Sequence, residues 1–448
     1  MPAGARDHEI KRVGRALAEA FPPGYQHPLK ALDERAMELA AQDAELRAAL
    51  FRFVDVVPAC RSLDDLASHL SAFLDGVEEQ PLSVRAAMKM AHTSAGRAAL
   101  GAAGAAGVRH MAQRFIVGAD PAAALPTLRS LWRDGIGSSV DLLGEATVTA
   151  AEADRYAARC AAALDTLGDA YAGLDAKPAL EHDARGPIPR ANLSVKVSAL
   201  TPLLRADAPE RGQRDAAPRL RELLRHAKAR GAHLHIDMET LDSREAVLEL
   251  VLDLLGEPEF SSGPSAGIVL QAYLRDSPET LDTMLEWARR TEREPPLVVR
   301  LVKGAYWDHE VVEARQHGWQ VPVFEHKADS DRNFEELTSR LLAARPLLRV
   351  AVASHNLRSV AHAIVANRDL GGTDGDVEFQ VLRGLGDGLG HALAANGFRV
   401  RAYCPVGDLV AGMAYLVRRL LENTANESFL HDHATGVSLD ELLAPPPA

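Results

Sequence analysis

The chain has 448 residues, 47% hydrophobic and 25% charged. That is ordinary for a globular enzyme and enough for a barrel-sized core with an appendage. Its formal net charge of −12 argues against a general nucleic-acid binder, which would present a basic face.

No apolar run reaches the roughly 18 residues that would span a bilayer, and the N-terminus "MPAGARDHEIKRVGRALAEAF" lacks a secretory apolar region. Three cysteines, Cys60, Cys160 and Cys404, show no CxxC and no paired spacing. They point to a reducing cytoplasm with no structural disulfide or zinc.

Residues 1–110 read as a helical arm. "PLKALDERAMELAAQDAELRAALFRFVDVVP" has apolar positions at helical spacing, and Ser62 stands as an N-cap ahead of Asp64 and Asp65. "SAGRAALGAAGAAGVRHM" reads either as a tightly packed helix or as a loose connection, because its glycines weaken the helical signal. From there short β-rich runs alternate with helical ones. The strand candidates are 114–118 (RFIVG), 191–200, 233–240, 267–274, 297–306, 349–356, 377–384 and 398–407. Eight strand-helix units predict parallel pairing and an α/β fold of the (β/α)8 TIM-barrel type over residues 111–432, with 433–448 as a C-terminal tail. An open doubly wound sheet is the alternative; no GxGxxG follows an early strand to support it.

In such a barrel the downstream strand ends face the active-site mouth. Polar residues fall there: Lys196, Asp237, Glu239, Gln271, Arg300, Lys303, His355, Asn356, Gln380 and Tyr403. Any one alone is better read as an ordinary strand-end residue, but together they outline a polar ligand site. After the last strand, "MAYLVRRLLENTANESF" puts Tyr415, Arg418, Arg419 and Glu422 on one helix face. On an isolated helix that pattern is a solvated surface. Over a barrel mouth it aims two guanidiniums at a carboxylate. There is no P-loop, no HExxH and no metal-ligand spacing. Cations, amides and a Gly304-Ala305 step suit a polyanionic cofactor, either a flavin with its pyrophosphate or a sugar phosphate.

"SVKVSAL", "HIDMET", "QAYLRDS", "RLVKGAYWDHE", "ASHN", "EFQVLRG", "AYCPVG" and "YLVRRLLENTANESF" occur in that order. Together they resemble the proline dehydrogenase family, in particular the FAD-dependent domain of bacterial bifunctional proline-utilisation flavoenzymes. "FRFVDVVPACRSLDDLASHL" extends the likeness into the arm. The resemblance implies that Arg300, Lys303, Gly304, Ala305, Tyr306 and Trp307 line FAD, with Arg300 near its reactive edge. Gln271, Lys327, His355, Asn356, Gln380, Glu422 and Ser428 would hold the rest of the cofactor. Arg418, Arg419 and Lys196 would bind the L-proline carboxylate, Leu382, Tyr403 and Tyr415 would wall the ring, and Asp237 would lie beneath. The implied reaction oxidises L-proline to Δ1-pyrroline-5-carboxylate, with hydride passing to flavin N5 and electrons on to a quinone. A pyrroline-5-carboxylate dehydrogenase, in trans or on a longer chain, would be the partner. A peripheral association with the inner face of the membrane is compatible with a quinone acceptor.

Two departures from the family pattern stand out. The family often carries a Glu just after the Gly that ends strand one. After 114–118 this chain reads "GADP", which puts Ala119 there and Asp120 one residue on. The bifunctional members also continue into an aldehyde dehydrogenase, whereas these residues stop at "SLDELLAPPPA". The expectation is either a stand-alone enzyme or the first part of a longer product, without a ribbon-helix-helix segment. Two further readings remain, a barrel flavoenzyme acting on a folate and a degenerate barrel used as a scaffold.

Overall fold

The computed structural model describes residues 3–22, 44–77, 85, 89, 93–144, 147–408, 412, 415 and 437–447. Eight parallel strands close into a barrel: β1 Ile136–Leu142, β2 Asn192–Lys196, β3 His233–Asp237, β4 Ser265–Gln271, β5 Leu297–Val302, β6 Leu348–Ala353, β7 Val377–Leu382 and β8 Arg399–Val406. Each strand pairs with its sequence neighbours, and β8 returns to β1 with Ile136 opposite Val400 and Leu142 opposite Val406. Helices on the outside connect successive strands, from Ala150–Ala172 after β1 to Asp387–Ala395 after β7. The expected α/β barrel is therefore present.

Its first strand is not the expected one. Residues 114 and 115 end the helix Ser94–Phe115. The next three run beside the end of β8, where Val117 N–H donates to Pro405 O and Gly407 N–H donates to Gly118 O, both at 2.9 Å. The barrel strand is "IGSSVDL", which has few β-branched residues and looked nothing like a core strand. Its serines explain the choice. Ser138 meets the Tyr171 hydroxyl on the helical side. Ser139 donates to Asn192 Oδ1 at 2.7 Å on the barrel side.

Alternation along every strand sorts the rest. Leu193, Val195, Leu234, Ile236, Val299 and Leu301 face the surrounding helices and join the main apolar core. The opposite set fills the barrel, and it is polar along its whole length. Arg300 on β5 reaches Ser139, Ser194 and Asp237 on β1, β2 and β3, which is possible only across the interior. Arg349, Arg399, Arg401, Glu378, His233 and His235 lie buried further upstream. The expectation that polar residues gather only at downstream strand ends is thus too narrow. A small antiparallel ribbon, His182–Asp183 with Gly186–Pro187, covers the upstream end, where Arg349 binds Asp183.

The arm divides. Helices Ala44–Val56, Leu63–Asp75 and Ser94–Phe115 form their own core of Leu46, Phe53, Leu66, Leu70, Val108 and Phe115. Ser62 caps the second helix by accepting from Asp65 N–H at 3.0 Å. The Ala/Gly-rich stretch is a packed helix: a Cβ on Gly101 would overlap the Leu63 backbone. This core extends to Leu143, Tyr415 and Tyr403, so it sits at the barrel mouth. Ala3–Glu19, by contrast, packs on the barrel's outer helix Leu357–Asp369. Leu443, in the C-terminal segment, is fully buried against Gly14 of that first helix. Arg358 locks the three together, donating to Asp7 Oδ1 at 2.7 Å, Leu443 O at 2.8 Å and Glu335 Oε1 at 2.8 Å.

Candidate active site

At the mouth, Lys196 and Asp237 stand opposite each other in the β2–β3 register. Lys196 Nζ donates to Asp141 Oδ1 at 2.6 Å and lies 3.7 Å from Asp237 Oδ2. From across the barrel Arg300 Nη1 donates to Asp237 Oδ1 at 2.8 Å, and its Nη2 lies 3.3 Å from Ser139 Oγ and from Ser194 Oγ. Tyr403 on β8 donates its hydroxyl to Asp237 Oδ2 at 2.7 Å, and the Arg300 guanidinium lies over its ring at 5.4 Å. Two cations thus share two carboxylates. Such a cluster tolerates burial only because every charge has a partner. Burial, and then the charges of Asp141 and Asp237, push the Tyr403 phenol well above its ordinary value, so it stays neutral and acts as a donor. Arg300 Nε is buried and has no acceptor among the described residues.

Beside this cluster opens a cavity of about 590 Å³, within the range of cofactor sites. On its β5 side Lys303 pairs with Asp331, and Lys327 donates to the other Asp331 oxygen at 2.8 Å. Burial raises the Asp331 carboxyl, but Lys303 and Lys327 outweigh it and hold the group ionised. Two lysines thus converge at the cavity edge, and cations of this kind suit a phosphate.

Gly304 has φ +140°, and a Cβ there would lie inside the Tyr273 ring. Only glycine lets this turn lie so close to that ring. Ala305 and Tyr306 line the next step, and Trp307 Nε1 donates to Phe324 O at 2.8 Å. Gln271 donates to Glu239 O at 3.0 Å.

His355 Nε2 accepts from Leu382 N–H at 2.9 Å, which places the ring hydrogen on Nδ1. Asn356 Oδ1 caps the next helix through Ser359 N–H at 2.9 Å, so its NH2 group remains as donor. Gln380 is tied down to Glu378 Oε1 at 2.7 Å and also lines the cavity. Tyr415 is buried on the rim. Cations, amides, rings and the Arg300 Nε donor fit a long anionic cofactor with a planar ring.

Arg418, Arg419, Glu422 and Ser428 lie outside the described residues. The other expected site residues all border this cavity. Sequence reasoning missed Asp141, Ser139, Ser194 and Asp331. Asp141 is legible as a carboxylate near the end of a short run before a glycine, but that run, "IGSSVDL", carries little local strand signal. The displaced strand also corrects the loop comparison. Asp120 is the N-cap of helix Pro121–Arg133, accepting from Ala123 N–H at 2.8 Å. After the true β1 the chain reads Leu143-Gly144-Glu145, so a Glu does follow the glycine. Glu145 lies outside the described residues.

Comparison with known proteins agrees with this geometry. The family model described as "Proline dehydrogenase" matches residues 124–432, and that of the "Proline utilization A N-terminal domain" matches 7–115. The bifunctional protein PutA of Escherichia coli is 36% identical over 350 residues, 76% of this chain and 25% of that protein. A proline dehydrogenase of Deinococcus radiodurans is 28% identical over 321 residues, 72% of this chain and 89% of that protein. The crystal structure of proline utilization A from Bdellovibrio bacteriovorus inactivated by N-propargylglycine superposes with a TM-score of 0.88 at 34% identity, covering 98% of this chain and 44% of that one. The chain therefore spans about a quarter of the E. coli relative's length. With a family model matched over more than half of its residues, it belongs to the proline dehydrogenase family.

Proposed function

We propose that this chain catalyses the FAD-dependent oxidation of L-proline to Δ1-pyrroline-5-carboxylate, the first step in its breakdown to glutamate. The observation that carries this reading is the buried, charge-balanced Asp141–Lys196–Asp237–Arg300–Tyr403 cluster set against a cation- and amide-lined cavity. When bound, the flavin accepts the two electrons and the hydrogen lost from the substrate ring carbon. Lys303, Lys327, Gln271, Asn356 and Gln380 would hold it, Gly304 and Ala305 would admit it close to the backbone, and Tyr306, Trp307 and His355 would border it. Glu422 and Ser428 join this set by resemblance.

Arg300 is held by Asp237, Ser139 and Ser194, so its remaining Nε–H is fixed in direction. A donor fixed before reaction stabilises developing negative charge without reorganisation. Lys196 has three N–H donors, so it can serve Asp141 and a substrate carboxylate together. Arg418 and Arg419 would supply the fork that fixes that carboxylate. Tyr403, Tyr415 and Leu382 would enclose the substrate ring. Burial among them favours the neutral amine, the form that loses hydrogen to become an imine.

By the same family reading the electron acceptor is a quinone, met by peripheral association at the membrane's inner face. A pyrroline-5-carboxylate dehydrogenase consumes the product, in trans or on a longer chain. The bifunctional relatives support the second point. The division into a helical arm at 1–110, a catalytic barrel at 111–432 and a segment at 433–448 belongs to this proposal, with the amendment that Ala3–Glu19 serves the barrel. The test is direct: purified protein should be yellow and should reduce a dye when L-proline is added. A flavin-free protein, or a flavin indifferent to proline, would overturn the assignment.

A further inference from the structure

At the opposite, upstream end of the barrel lies a second cavity, of about 30 Å³, bordered by Asn192, His233, Arg349, Glu378, Arg399 and Arg401. The mouth cluster of Asp141, Lys196, Asp237, Arg300 and Tyr403 does not border it, and its charges do not balance. Arg401 grips Glu378 with two bonds of 2.9 and 3.0 Å and donates to Ser138 O at 3.0 Å. Arg349 Nη2 donates to Asp183 Oδ1 at 3.0 Å. Arg399 donates to Gly375 O at 2.7 Å but lies 3.7 Å from each nearby carboxylate. Three guanidiniums thus face two carboxylates. Glu378 is firmly ionised: burial raises its carboxyl, but Arg401 outweighs this and brings it down to about 2. His233 is neutral, pushed down to about 3 by burial and then by Arg401. One positive charge is left over among side chains that are more than nine-tenths buried, where an unbalanced charge is expensive.

The donors are also in excess. Arg349 Nη1 and Arg399 Nε are buried and have no acceptor among the described residues, although both side chains are more than nine-tenths buried. Buried guanidinium N–H groups without acceptors are rare in folded proteins. A cavity of this size takes one or two water-sized particles. It is too small for a phosphate or a carboxylate metabolite.

We propose that this cavity is a structural binding site for one small monovalent anion of the chloride class, which supplies the missing charge and acceptor between Arg349 and Arg399. The cavity lies upstream of the mouth cluster, with Gln380 bordering both cavities, and the proposal does not depend on the reaction catalysed at the mouth.

The test compares thermal unfolding of the full chain in sodium gluconate with unfolding in sodium chloride at equal ionic strength. A rise in Tm of about 1–3 °C, growing with the logarithm of chloride concentration, is expected by about 0.2 M chloride, with bromide acting alike. A crystal grown in sodium bromide should show an anomalous peak in this cavity beside the two guanidiniums. Asn192→Asp places a fixed negative charge on the cavity wall and should abolish the chloride response. If that variant does not fold, the bromide measurement on the unmodified chain decides. Equal melting in gluconate and chloride, or bromide-grown crystals with water alone in the cavity, would overturn the proposal.

Discussion

Removing the carboxylate of Asp237 should separate the energetic role of the mouth cluster from its chemical one. Asp237 accepts from Arg300 at 2.8 Å and from Tyr403 at 2.7 Å, and it lies 3.7 Å from Lys196. Arg300 and Lys196 are only 4% and 5% exposed, so water cannot easily replace it. In Asp237→Ala, two buried cations are left with Asp141 alone. Breaking a buried pair on one side costs about 3–5 kcal/mol, a large part of a total stability of about 5–15 kcal/mol. Asp237→Asn keeps one oxygen that can accept from Arg300 or Tyr403 but not from both as a charge. Its cost should be about 1.5–3 kcal/mol. Both variants free the Arg300 fork, and a misplacement of about 1 Å can lower turnover about 10²-fold. Urea unfolding midpoints and proline-dependent dye reduction would be read side by side. If Asp237→Ala unfolded within about 1 kcal/mol of the parent at unchanged turnover, the cluster could not be the energetic and positional centre of the mouth.

Gly304→Ala should weaken cofactor retention and cost about 1–3 kcal/mol in backbone strain. Trimming the facing ring with Tyr273→Leu should not restore it, because the backbone at φ +140° remains unfavourable; flavin absorbance after gel filtration would show this. Arg418→Met or Arg419→Met should raise the apparent KM for proline about ten-fold or more, with flavin still bound in at least one of them; unchanged inhibition by a cyclic carboxylate in both would remove these arginines from the site. Stability should also fall on acidification. The buried His233 refuses, down to about pH 3, a proton that the unfolded chain takes up below pH 6.5. The loss therefore accumulates from about pH 6.5 downward, to at most about 5 kcal/mol. His233→Gln should make that limb shallower in a melting-temperature series, the rest coming from His235 and His362, which burial also lowers; an unchanged slope would assign it elsewhere. Below about pH 4.5 the protonation of Glu378 adds a second loss, which ends near pH 2.

The barrel was legible because β3 to β8 are short apolar runs broken by polar residues, each followed by helical sequence. β1 was not. Its Gly137, Ser138, Ser139 and Asp141 are there to accommodate Arg401, Tyr171, Arg300 and Lys196, and those partners lie more than thirty residues away in the chain. "RFIVG" carries the stronger local β signal, but its first residues end a helix and Val117 and Gly118 bond the chain at and just beyond the end of β8. Which polar residues would meet at the mouth followed from strand position. How they pair did not: Arg300 finds Asp237 across the barrel at a separation of 63 residues, which no local pattern encodes. The upstream arginines were overlooked for the same reason, since a strand-start arginine in sequence looks like a surface residue.

The clasp around Arg358 carries a consequence for how this protein can be handled. Arg358 lies two residues beyond Asn356, which caps the same helix and lines the mouth cavity. Its guanidinium is pinned by Asp7 and by the Leu443 carbonyl, and Arg15 reaches Asp440 across a separation of 425 residues. The first helix therefore completes its contacts only after synthesis has passed Leu443. Long-range closure of this kind is slow. A purification tag that pulls Leu443 out of its socket would act as a lever on the cofactor wall. Deleting residues 437–448 should loosen flavin before it melts the barrel, and protease nicking of Ala3–Glu19 would be the earliest sign that the lever had moved.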